Sequence, residues 1–116
     1  MDISVSELVG EIKTAVRGIL KTDIESVRGF SERQLHAIAK QSALVAAAIN
    51  SGEIGEGEKD FFLDTIENMV RNFVNALRGL MMVILEKVWN AIVGVIWKAF
   101  DAAVGTVLFI TPMALV

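Results

Sequence analysis

Between positions 60 and 111 the sequence runs without a proline, and its glycines, Gly79, Gly94 and Gly105, stand singly. Nothing in that stretch stops a helix, so it predicts one very long helix or two collinear ones. At 1.5 Å per residue a continuous rod would measure about 75 Å, whereas a compact chain of this size has a radius of gyration on the order of 13 Å. Either the rod bends at one of its glycines or other subunits flank it. The polar residues favour flanking subunits. Asp60, Asp64, Glu67, Arg71, Asn75 and Arg78 form one stripe, which skips Met82 and resumes at Glu86, Asn90, Gly94, Lys98 and Asp101. Steps averaging slightly more than 3.6 residues imply a right-handed drift of a continuous helix, and a local break would shift the register in the same way.

From position 79 to 100 apolar residues cover most of the circumference, and a helix of that kind is buried either in protein or in lipid. Leu80, Ile84, Val88, Trp89, Ile92, Val95, Ile96, Trp97 and Phe100 are therefore the expected interface with like chains or with a membrane. Glu86, Asn90 and Lys98 are the expected polar seam or lumen, because lipid disfavours them. Positions 79–97 approach the roughly 20 apolar residues of a bilayer span, although the adjacent Glu86 and Lys87 are costly there unless they face protein or water. Trp89, Trp97 and Lys98 are compatible with interfacial anchoring, and the tryptophans equally with a protein core. A second uncharged stretch, 102–116, is short for a span and contains Pro112; its end, VLFITPMALV, is expected to pack against something.

The N-terminal half is conventional helical material. Ser4-Val5-Ser6-Glu7 reads as a capping box, after which Leu8, Ile12, Ala15, Val16 and Ile19 share one face. In GFSERQL, Gly29 ends the preceding segment, Ser31 caps, Gln34 reaches back and Phe30 staples onto Leu35, which predicts a helix over 31–49. Its centre, SALVAAA, carries small side chains that allow another backbone to approach closely. NSGEIGEGEKD, with three glycines and four acids, predicts an exposed acidic loop.

Composition narrows the function. The chain is 53% apolar, which argues against disorder and leaves more apolar surface than a small monomer needs. There is no cysteine, which removes disulfides, thiolate metal sites and a cysteine nucleophile together. A net charge of −3 offers no basic footprint for nucleic acid. MDISVSELVG lacks the basic and apolar regions of a secretory signal, which predicts synthesis in the cytosol.

No motif supplies chemistry. His36 has no second histidine or cysteine with which to form a ligand set. Glu53, Glu56, Glu58, Asp60 and Asp64 do not follow the spacing of a calcium-binding loop. GEIGEG at 52–57 has the glycine density of a phosphate loop, but no strand precedes it and its acids would repel phosphate. Neither an enzyme nor a cofactor is expected. The basic excess at Arg71, Arg78, Lys87 and Lys98, against the acids of 53–67, could orient chains in an oligomer or a span by its flanking charges, or be an ordinary solvated face.

The expected fold is all-α: a single unit over 1–116, with amphipathic helices in 1–52, an acidic glycine-rich loop at 53–60, and a long apolar helix and tail over 61–116. That helix is expected to assemble with copies of itself, in a structural or membrane-active role such as a pore, conduit or membrane-associated particle subunit, a viral component being one instance. The alternative is a soluble adaptor whose long helix packs into a bundle with other helical proteins.

Overall fold

A computed structural model describes residues 2–104 of the chain. Helix α1, Val5–Leu20, starts at Ser4, whose hydroxyl accepts the backbone N–H of Glu7 at 3.4 Å, and it ends at Lys21 in a left-handed conformation. Leu8, Ile12 and Val16 are buried as the spacing predicts, with Val9 added, while Ala15 and Ile19 are only half-buried. A 3-10 turn at Ile24–Ser26 buries Ile24. Helix α2, Glu32–Asn50, is capped by Ser31, which accepts from the Gln34 N–H at 3.1 Å. Buried Ser42 donates to the Ile38 carbonyl at 2.8 Å, so its hydroxyl enters the core already satisfied.

Gly52, at φ +81°, turns the chain after α2, and the Ile54 N–H returns to the Ala48 carbonyl at 3.2 Å. Helix α3, Glu56–Asn75, begins earlier than the sequence suggests, so 56–60 is helical rather than loop. Acidic residues crowded just before an apolar stretch favour the positive end of a helix as well as a solvated turn.

The main departure lies further on. The continuous rod does not form, and of the bends left open the one at Gly79 occurs: the chain leaves α3 at Ala76, turns through Gly79 at φ +84°, and re-enters a separate helix α4, Met82–Val104. Gly94 lies inside α4 without breaking it, and Gly105 is outside the described residues, as is the expected packing of VLFITPMALV. Three contacts pin the reversal. The Arg78 N–H donates to the Arg28 carbonyl at 2.8 Å, the Arg78 guanidinium donates to the Asn75 carbonyl at 2.8 Å, and Phe30 meets Phe73 edge-on with centroids 5.9 Å apart. The guanidinium thereby serves a carbonyl that the end of α3 leaves without an intrahelical partner.

The reversal changes what covers the greasy helix. α4 packs most extensively on α1 and also touches α2 and α3, so the chain supplies the flanks that a straight rod would have needed from other subunits. At its far end the Asn50 side-chain amide donates to the Ala103 carbonyl at 2.9 Å, fastening the end of α2 to the last turn of α4. The result is an all-α four-helix bundle, without strands among the described residues, with a Cα radius of gyration of 13.8 Å. No helix among the described residues is long and apolar enough to cross a membrane; positions 79–81 precede α4, which itself carries Glu86, Lys87, Lys98 and Asp101.

Candidate functional site

The structure distributes the expected interface residues unevenly. Val88, Trp89, Ile92, Ile96, Trp97 and Phe100 are buried within the chain, Trp97 meeting Phe100 edge-on at 5.9 Å, while Leu80, Ile84 and Val95 are half-buried against the same core. Their apolar surface is thus largely covered by α1, α2 and α3. Of the polar thread, Asn90 and Lys98 are exposed and Glu86 is partly so, all on the outer face of α4.

One polar cluster escaped the sequence reading. The Arg71 guanidinium of α3 stacks over the ring of buried Trp89 in α4, 5.5 Å from its centre, and the buried Arg71 Nε has no hydrogen-bond partner among the described residues. One turn earlier, partial burial pushes the Glu67 carboxyl above its ordinary value, the nearby charge of Asp64 adds to the rise, and Arg71 opposes it. The arrangement is a cation seated on an aromatic face at a helix crossing, which is worth about 0.5–2 kcal/mol to packing. No nucleophile accompanies it.

Elsewhere the polar groups pair on the surface. Lys13 reaches Glu32 at 2.8 Å and Glu25 at 3.2 Å, and Arg17 reaches Asp23 at 2.6 Å. The hydrogen bond to Glu32 raises the Lys13 pKa against the opposing effect of desolvation. The Glu25 carboxyl is lowered by a hydrogen bond from its own backbone and then by Lys13. His36 is exposed, its Nε2 3.0 Å from Glu32, and no cluster of three metal-ligating side chains occurs among the described residues.

What the surface does offer is apolar. Phe61 is 68% exposed, Leu44 57%, Met81 71%, Met82 61% and Val83 50%. Phe61 touches Phe62 edge-on at 5.3 Å, and Phe62 lines a shallow groove with Leu44, Val45, Ala48 and Ile54, with Gln41 and Glu53 at its polar margin. Phe61, Phe62 and Leu44 therefore belong to one edge, where α2 and α3 meet. A signal for them was present in the sequence: Phe61 shares its helical face with Asp64 and Asn68, and Leu44 shares its face with Lys40, so each is an apolar residue among polar neighbours. Set beside known proteins, the chain matches no family model, no curated protein and no solved structure.

Proposed function

We propose that this chain is a non-enzymatic structural protein that self-assembles through the α2–α3 edge. The supporting observation is the exposure of Phe61 and Leu44 beside a largely apolar groove, one of two places where the described structure leaves large apolar side chains uncovered. A protruding ring next to a groove on one surface suits a two-fold contact, in which each copy places Phe61 in the groove of the other. Covering one such side chain is worth about 1.5–3 kcal/mol. Association itself costs about 4–15 kcal/mol, so the contact is weak and concentration-dependent unless further copies join. The groove equally fits one helix of another protein, which is how the adaptor alternative would use the same edge.

Light scattering over a graded concentration series tests the reading. The wild type is expected to gain mass with concentration, while Phe61→Ser stays monomeric with unchanged helix content. A variant that assembles like the wild type refutes the assignment of the edge. A wild type that is monomeric throughout refutes self-assembly and favours the adaptor.

A further inference from the structure

The reversal between α3 and α4 gathers more than a turn. Because the helices alternate in direction, the end of α1, the 3-10 turn, the start of α2, the end of α3 and the start of α4 share one end of the bundle, joined by the bond from the Arg78 N–H to the Arg28 carbonyl. Segments 17–36 and 71–90, which build this end, hold seven Lys or Arg against four acids; the rest of the chain holds four against ten, which accounts for the totals of 11 and 14. The bundle is therefore polarised along its length, although its net charge is negative.

Three of the four local acids are engaged, Asp23 by Arg17 and both Glu25 and Glu32 by Lys13. Lys21, Arg28, Arg33 and Lys87 are exposed and hold no ion pair among the described residues. At the same end protrude Met81, Met82 and Val83, the most exposed run of large apolar side chains in the described structure, with Leu80 half-buried against the core beside them. The first turn of α4 contains no acid, so the positive end of its dipole points the same way.

We propose that this end of the bundle docks on an anionic lipid surface, with Met81, Met82 and Val83 entering between the headgroups and Arg28 and Lys87 held at the phosphate level. An acidic protein would satisfy the cations, but it would also need an apolar groove shaped to the tip and ringed by its acids. A bilayer of anionic lipid supplies both in the required order of depth. Unbranched, flexible methionines suit a disordered acyl boundary, since they adapt to irregular surroundings. This docking needs no spanning helix, and it uses the opposite end of α3 from Phe61, so it does not depend on the self-assembly reading.

The test is flotation of the full chain with phosphatidylcholine vesicles, plain or carrying about 30% phosphatidylserine, at low and high salt. Binding is expected on the anionic vesicles only and should weaken with salt. Lys87→Glu is expected to lower partitioning about thirty-fold, from two charge units near the surface. The double substitution Met81→Ser, Met82→Ser is expected to lower it roughly tenfold or more. Lys98→Glu changes net charge identically near the other end of α4 and should leave binding close to wild type. Phe61→Ser, measured alongside, should still float, which separates failure of the edge from failure of the docking end. Equal binding to plain vesicles, no binding to either kind, equal losses for Lys87→Glu and Lys98→Glu, or tighter binding to soluble polyglutamate than to vesicles would each overturn the proposal, the last in favour of an acidic protein.

Discussion

Substituting Gly29 by alanine probes the contact that folds the third and fourth helices together. Gly29 sits at φ +89°, and a Cβ built there would meet the Ala76 carbonyl oxygen, with the Ala76 carbonyl carbon at 2.8 Å and the Leu77 Cα at 3.2 Å. All three are backbone atoms, so no side chain can swing away. The left-handed conformation alone costs an L-residue about 1–2 kcal/mol. Relieving the overlap means separating the two loops, which strains or breaks the hydrogen bond from Arg78 to Arg28 next door and costs about another 0.5–1.5 kcal/mol. Alanine also stiffens the unfolded chain, which returns about 0.4–1 kcal/mol. The sum is roughly 2 kcal/mol, or a fall in Tm of about 8 °C for a chain slightly above 100 residues. Gly79 is the internal control: at φ +84° it carries the same conformational strain, but nothing lies within 4 Å of its Cβ position. Thermal unfolding followed by circular dichroism should therefore show Gly29→Ala clearly less stable than Gly79→Ala. If the two lose the same stability, the loops do not approach as described and the account of the reversal fails.

Three further outcomes follow from the same packing. Gly10 lies mid-helix in α1 with open space at its Cβ position, so Gly10→Ala should raise stability by about 0.8–1 kcal/mol in denaturant titrations. Glu67 has a raised pKa in the fold, so the folded state takes up its proton at higher pH than the unfolded chain does, and the ionised group weighs against folding above that value. Glu67→Gln should therefore be more stable than wild type at neutral pH. The difference should shrink as pH falls through the raised value towards the ordinary carboxylate range, and an advantage that persisted in acid would point to packing instead. Asn90 is exposed on α4, away from the α2–α3 edge, so Asn90→Leu should leave the assembled mass unchanged; a change in stoichiometry would put the outer stripe of α4 at the seam.

How much of this was legible in the sequence depended on whether the signal was local. Ser4 and Ser31 announce their helices because a cap is chemistry between residues three apart, and each serine hydroxyl accepts the backbone N–H three residues on, the half of the expected box that the structure shows. The break at Gly79 was harder, because Gly79 and Gly94 look alike in isolation. Gly94 lies within the helical hydrogen-bond ladder of α4, whereas Gly79 adopts a positive φ just after Arg78, which is tied to another loop. The one hint was the gap at Met82, where the polar stripe loses its register: that shift marks the restart of a helix rather than the drift of a continuous one. Burial of Trp89 and Ile92 by α1, α2 and α3 was invisible for the same reason, since an apolar circumference says that a helix must be covered but not by what. Phe61, Leu44 and Met82 could have been found by asking which apolar residues stand on polar faces.

The central claim is that the apolar surface of α4 is covered within a single chain, not by copies of it. The two tryptophans, Trp89 and Trp97, both lie in α4 with 0% and 5% exposure, so they report on that covering directly. Acrylamide quenching of Phe61→Ser at a dilution where light scattering shows only monomer is the measurement to make. Shielded, blue-shifted emission that does not change when wild-type chains assemble is the predicted result. Tryptophans that are quenched freely in the monomer and become protected only on assembly would contradict the account and make α4 itself the interface.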